Sequence, residues 1–467
     1  MEKSSVIVNK EKINPFLLVM LTLLVVILIG SVLLFIDYAN VHGWANLQLE
    51  DFIDSFFISV SATCVTGLSV YGDGIINAYS LFGQIVIAVL IQIGGLGFLT
   101  VLAFLIVLFA GKLKFKDRHF LSQIVGSTSI ANVGKFVKKI ILISFLCELF
   151  GVLAGLPVFI NLFPNNIGKA IWNSIFHSVS SFNNAGFDIL GSQSLLVTPE
   201  NTLLYNAPTW IPIYLKILTM VLIILGGLGF IVIAEIFTFK KASQYSAFTK
   251  IVLSTSAVLL VAGTLFFVAF ECFKPENPMN VLDALFQSVT CRTAGFYTYD
   301  QSNLSVGGRV VSCFLMFIGG SPISTAGGVK TTTFFIIGLA MFSYLKGSKV
   351  VAFKRSYSIK SVIKAMSLVF ISFVVVLICY AVIFVIEEGN PATDPQHIFF
   401  EAFSAFGTVG LSANLTPNLV WGSKLILCIL MFLGRLGPMT LFSIFSRNID
   451  KETTTHFDYV QSDILIG

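Results

Sequence analysis

The sequence predicts an all-α integral membrane protein: four membrane–pore–membrane repeats around a pseudo-fourfold pore, with eight spans and four re-entrant half-helices. Three observations carry this prediction. The composition is too apolar for a soluble domain, basic residues gather in alternate loops, and a short segment ending in glycine recurs four times. The 467 residues are 56% hydrophobic and 11% charged and include 46 phenylalanines, more apolar surface than a water-facing domain could hide.

The apolar stretches 16–36, 81–110, 140–159, 211–237, 251–270, 362–386 and 425–445 reach the roughly 20 residues that cross a hydrocarbon core. Residues 1–14 carry Lys3, Lys10 and Lys12 like the basic start of a signal peptide, but the apolar run after them is long and lacks a small-residue cleavage site. It is expected to stay as the first span.

Short loops rich in Lys and Arg stay on the cytoplasmic side. One such loop holds Lys112, Lys114, Lys116, Arg118, Lys135, Lys138 and Lys139, a second Lys240, Lys241 and Lys250, and a third Lys346, Lys349, Lys354, Arg355, Lys360 and Lys364. The segments between carry Asp37, Glu50, Asp51, Asp73, Asp188, Glu200, Glu276, Asp300, Glu387, Glu388 and Asp394, which makes that face external and places both termini inside. An acidic outer face concentrates cations, though such charges also serve as ordinary solvated loops. The net charge of +5 is accounted for by the inner loops and calls for no nucleic-acid partner. The seven cysteines are scattered without a C-x-x-C pair, and the five histidines are not spaced as metal ligands.

Four external segments align: FISVSATCVTGL (57–68), FHSVSSFNNAGF (176–187), FQSVTCRTAGF (286–296) and FEAFSAFGTVGL (400–411). Their glycines, Gly67, Gly186, Gly295 and Gly410, recur roughly every 110–120 residues. An apolar stretch follows each, containing GGLGF (94–98), GGLGF (226–230), GGSP (319–322) and GRLGP (434–438). The chain therefore divides into a cytoplasmic segment 1–15, repeats at 16–116, 135–241, 247–347 and 358–447, and a cytoplasmic tail 448–467. The short segments 51–62, 169–180, 281–290 and 397–405 cannot cross the core and are expected to be half-helices that enter and leave on the outer face.

Non-helical backbone at membrane depth is tolerated where it lines a polar cavity or is buried in protein. A half-helix descending from outside turns its negative C-terminal end toward that cavity. The residues after it, Val65, Thr66 and Gly67, Asn184, Ala185 and Gly186, Thr293, Ala294 and Gly295, and Thr408, Val409 and Gly410, can then point carbonyls inward in place of an ion's hydration shell. One glycine alone would read as a packing residue. Four in the same context favour a filter that selects cations, with no cofactor called for.

In the third repeat the second span is interrupted by Gly319, Gly320, Ser321, Pro322, Ser324, Thr325, Gly327, Gly328 and Lys330, where a helix should break. The part around Lys330 is no phosphate loop, because Val329 stands where glycine is needed and no strand precedes it. Arg435 falls where the first two repeats have Gly95 and Gly227. An arginine there must face water or a partner, and a fixed positive charge below the filter would hinder cations and could hold the broken segment by its carbonyls. Lys330 either donates in the same way or reaches to the cytoplasm. Arg292 is expected to brace its loop, and Glu148, Lys216 and Glu235 to pair between helices, with an ion-coupling role as the alternative. A pump is disfavoured because no inner loop could hold a nucleotide domain and no Asp-Lys-Thr-Gly is present. An inverted-repeat transporter is disfavoured because all four repeats share one orientation.

These residues resemble the Trk/Ktr/HKT superfamily of potassium transporters across roughly 16–447. The resemblance implies uptake of K⁺, held by the backbone carbonyls of the filter with one glycine per repeat, and a gate at 319–330 directly beneath the filter with Arg435 holding it. A serine at the first glycine goes with Na⁺ transport in that superfamily; here all four are glycine. With about fourteen residues before the first span, the sequence is most similar to the membrane subunits of bacterial Ktr systems. That implies a homodimer in the plasma membrane on a ring of cytoplasmic nucleotide-binding regulatory subunits of the KtrA or KtrC kind, with uptake that can be Na⁺-dependent. The basic inner loops suit such docking or contact with anionic membrane lipid.

Overall fold

A computed structural model describes residues 15–41, 49–97, 133–191, 194–199, 201–238 and 241–437. The calls that fall on residues 1–14, 42–48, 98–132, 200, 240 and 438–467 lie outside the described residues. Fourteen helices of seven or more residues make up the described body: α1 (Pro15–Phe35), α2 (Leu49–Cys64), α3 (Leu81–Leu96), α4 (Val133–Leu162), α5 (Ile167–Phe182), α6 (Trp210–Leu228), α7 (Phe230–Ile236), α8 (Ala247–Glu271), α9 (Val281–Thr290), α10 (Val306–Phe317), α11 (Thr331–Leu345), α12 (Ile359–Ile386), α13 (Pro395–Gly407) and α14 (Trp421–Leu436). Four stretches of these, Val137–Leu162, Trp210–Leu228, Ala247–Glu271 and Ile359–Ile386, are each long and apolar enough to cross a bilayer unaided.

Capping side chains fix several starts. Asn166 accepts from the Lys169 N–H at 2.9 Å ahead of α5, Ser305 from the Gly308 N–H at 2.9 Å ahead of α10, and Asp394 caps α13 with Pro395 in its first turn. The short helices α2, α5, α9 and α13 fall where the recurring segments predict, α9 with the expected bounds and the others longer by two residues at each end.

Each short helix packs between its flanking helices and against the later helix of another segment, in a closed order: α3 on α5, α6 on α9, α10 on α13 and α14 on α2. Polar ties join these pairs. Trp172 Nε1 donates to Gln84 Oε1 at 2.9 Å, Lys216 pairs with Asp283 at 2.6 Å, Arg309 Nη1 donates to Gln396 Oε1 at 3.0 Å, and Lys424 pairs with Asp54 at 2.7 Å. In apolar surroundings such groups are costly unless paired, so each tie also fixes which helices meet.

Close approach of the earlier helix to its short helix needs glycine. Ser59, Ser178 and Ser288 donate to the carbonyls of Ile27, Glu148 and Leu260 at 2.7, 2.6 and 2.9 Å. A Cβ on Gly30, Gly151 or Gly263 would run into those same hydroxyls.

One expectation is corrected. The stretches 81–110, 211–237 and 425–445 are not uninterrupted helices: α3, α6 and α14 end at Gly97, Gly229 and Gly437, whose φ values are 77°, 90° and 76°. A helix cannot continue through that left-handed conformation, which glycine alone adopts freely. The third segment breaks as expected, after Phe317, and resumes at Thr331. The sequence reading also missed a hairpin between α11 and α12, where Val351–Ala352 pairs antiparallel with Arg355–Ser356 through Phe353 and Lys354 at φ 48° and 62°.

Candidate ion pathway

The four short helices end within a few residues of Gly67, Gly186, Gly295 and Gly410, and these glycines meet. A Cβ on Gly67 would strike the carbonyl of Ala185, one on Gly186 that of Ala294, one on Gly295 that of Val409, and one on Gly410 that of Thr66. The contacts close a ring. Each glycine is left-handed, with φ of 94°, 71°, 80° and 89°, and so is the residue two places before it, Val65, Asn184, Thr293 and Thr408, at 58°, 60°, 73° and 50°. The side chains of Val65, Thr66, Asn184, Ala185, Thr293, Ala294, Thr408 and Val409 are all buried, so the surface left between the four segments is largely backbone.

A hydroxyl at the end of each short helix holds this conformation. Ser61, Ser180 and Thr290 donate to the carbonyls of Leu68, Phe187 and Phe296 at 2.8, 2.5 and 2.6 Å. In the fourth segment Ser404 Oγ accepts from the Gly410 N–H at 3.1 Å, a bond that Ser61 also makes with Gly67, at 3.1 Å. The hydroxyls in the recurring segments thus anchor the return of the chain, a role the sequence reading did not give them.

Above the ring a cavity of about 110 Å³ is lined by all four ring glycines together with Tyr71, Asp188, Tyr297, Ser412 and Asn414 among others. Burial pushes the Tyr71 hydroxyl up to about 12, which keeps it neutral near pH 7.

Beneath the ring the later helices press on the ends of the short ones: a Cβ on Gly94, Gly226 or Gly434 would overlap the carbonyl of Thr63, Phe182 or Phe406. The segment 319–330 fills the remaining side. Ser321 N–H donates to Gly227 O at 3.0 Å, Gly328 N–H to Gly434 O at 3.3 Å, and Phe230 N–H to Ile323 O at 3.0 Å. The last bond uses the break at Gly229, where a Cβ would crowd the carbonyls of Pro322 and Ile323 at 2.9 and 3.1 Å. A Cβ on Gly327 would meet the Thr408 side chain, and one on Gly320 would meet Ala326. The segment closes on itself through Val329 N–H to Phe317 O at 3.2 Å, Thr331 N–H to Gly320 O at 3.1 Å and Ser324 Oγ to Ser321 O at 2.6 Å.

Arg435 bridges two segments, with one guanidinium nitrogen donating to the carbonyl of Thr325 and another to that of Gly94. Lys330 Nζ turns inward to Ala326 O at 2.7 Å, the first of its two expected alternatives. Arg292 braces α8 rather than its own loop, through Ser256 O at 3.3 Å and Ser256 Oγ at 3.2 Å. Glu148 pairs between helices, accepting from Gln92, Ser144 and Asn183 at 2.9, 3.0 and 3.2 Å. Glu235 accepts from Ser246 N–H and Oγ, each at 2.8 Å, tying α7 to the start of α8.

Helices long and apolar enough to cross a bilayer, packed around a constriction lined by backbone, make up the body of a multi-pass membrane protein. A family model described as TrkH, a cation transport protein, matches residues 14–456. The potassium/sodium uptake protein NtpJ of Enterococcus hirae is 34% identical over 465 residues, covering 98% of each chain. The Ktr system potassium uptake protein B of Bacillus subtilis is 34% identical over 450 residues, covering 94% of each. The crystal structure of the potassium transporter TrkH from Vibrio parahaemolyticus shares the fold, with a TM-score of 0.68 at 19% identity over 94% of this chain and 86% of that one. The chain belongs to the TrkH family of cation transport proteins and is a potassium or cation uptake transporter of the Trk/Ktr type.

Proposed function

We propose that this chain carries K⁺ into the cell through the ring of Gly67, Gly186, Gly295 and Gly410, and that the segment 319–330 gates the path beneath it. The observation that carries the reading is the ring itself: four left-handed glycines, each set against a carbonyl of the next segment. Four helix C-terminal ends aimed at one axis favour positive charge, and inward carbonyls replace water around a dehydrated cation. The eight-span, four-repeat pore with re-entrant half-helices is part of the same reading.

In the closed state the polar backbone of 319–330 lies across the cavity, held by Arg435 and Lys330. Those bonds are expensive to lose in a membrane interior, so the gate needs an external drive to open. A cytoplasmic regulatory subunit would supply it: the name of the Bacillus relative places that protein in a Ktr system, and a KtrA- or KtrC-type nucleotide-binding ring under a homodimer fits the basic inner face. The name of the Enterococcus relative joins potassium to sodium, in keeping with Na⁺-dependent uptake. The orientation proposed has both termini cytoplasmic in the plasma membrane, with the basic loops on anionic lipid.

The test is K⁺ uptake in a cell lacking its own potassium transporters, with Na⁺ as competitor. Growth on low K⁺ and uptake that tenfold excess Na⁺ leaves largely intact are expected. No K⁺ uptake from a correctly inserted chain, with its regulatory subunit present, would overturn the proposal.

A further inference from the structure

The cavity above the ring contains one charged side chain. Among the described residues that line it, Asp188 alone is ionisable with an acidic or basic group; the rest are glycines, hydroxyls, Asn414, two tyrosines and apolar residues. Asp188 stands two residues past Gly186 and is half-buried. Its Oδ1 accepts from the Leu190 N–H at 3.1 Å, which fixes the turn and the direction of the carboxylate. No ion pair within the described residues engages it. A carboxylate in a small polar cavity, without a basic partner, keeps its field for whatever ion enters.

We propose that the Asp188 carboxylate is an outer cation site, collecting a partly hydrated monovalent cation directly above the glycine ring and so setting the KM of uptake. The site rests on the ring being the ion entry. Cations that fit are K⁺, Rb⁺ and Na⁺ alike, since one carboxylate and neutral oxygens do not discriminate by size as a carbonyl cage does. Recognition then falls in two steps, capture by Asp188 and selection by the ring.

The experiment measures KM and maximal rate for K⁺ uptake by the full chain in transporter-deficient cells at one neutral external pH, for wild type, Asp188→Asn and Asp188→Glu. Asparagine can still accept from Leu190, so it removes the charge and keeps the turn. It is expected to raise KM about three- to tenfold, more than it lowers the maximal rate. Glutamate should restore most of the affinity. Preference for K⁺ over Na⁺ should survive in both variants. An unchanged KM in Asp188→Asn overturns the site, and so does an Asp188→Glu variant with no better affinity than Asp188→Asn. If instead wild type carries no K⁺, or Gly67→Ser keeps its ion preference, the ring reading fails first and takes this site with it.

Discussion

The glycine ring and the layer beneath it are built from the same four segments and differ in one respect. At the ring the four contributions are near-equivalent: one left-handed glycine, a left-handed residue two places before it, and a hydroxyl tying the return. One turn of helix further in, equivalence is lost. Two segments present Gly-Gly-Leu-Gly, the third a loop, and the fourth Gly434 and Arg435. A site that must surround an ion evenly gains from symmetry, because every carbonyl then sits at the same radius. A barrier that must open and close needs one element free to move and another to hold it, which symmetry forbids.

Substitutions in the two layers should therefore fail differently. Gly67→Ser places a Cβ against the Ala185 carbonyl and forces a side chain into φ 94°, so the ring distorts. K⁺ over Na⁺ discrimination should fall on the order of tenfold, or ~1.4 kcal/mol, read from competition uptake. Unchanged preference would mean that this segment does not select. Deleting Ser321–Gly328 removes the barrier and leaves the ring, so K⁺ flux should rise severalfold with selectivity largely kept and with weaker dependence on a regulatory subunit. Misfolding can imitate a loss but not a gain, so abolished or unchanged flux in an inserted variant would make the break a packing device. Arg435→Ala removes the bonds to Thr325 and Gly94 and should act in the same direction by about two- to threefold, each lost bond to a charged donor being worth roughly 1.5–3 kcal/mol before the segment relaxes. Ser61→Ala loses two neutral ties, to the Leu68 carbonyl and from the Gly67 N–H, each about 1 kcal/mol. It should shift selectivity less than Gly67→Ser and leave gating alone, which flux with and without the regulatory subunit would show.

The sequence made the ring legible because recurrence multiplies weak signals. Any one of Gly67, Gly186, Gly295 or Gly410 could be a packing glycine; together, in like segments, they could not. The breaks at Gly97, Gly229 and Gly437 stayed hidden. Gly-Gly-Leu-Gly or Gly-Arg-Leu-Gly inside an apolar run reads as helix-packing residues, and at Gly229 what demands a left-handed glycine is the neighbouring loop, whose Ile323 carbonyl accepts from the Phe230 N–H. The pairing of Gly30, Gly151 and Gly263 with Ser59, Ser178 and Ser288 was likewise out of reach, since each pair is joined only in space. One further signal was available. Gln84, Lys216, Arg309 and Lys424 each stand ten residues before Gly94, Gly226, Gly319 and Gly434, and each ties its helix to the next short one. Four polar residues in register within apolar helices mark the order in which the segments meet.

The central claim, that the four glycines together coordinate the transported ion, is tested most directly by anomalous diffraction from crystals of the protein grown in Rb⁺. A peak on the axis between Gly67, Gly186, Gly295 and Gly410, displaced by excess K⁺ and weakened in Gly67→Ser, is the expected result. Rb⁺ bound elsewhere in the membrane body, with no density at the ring, would contradict it.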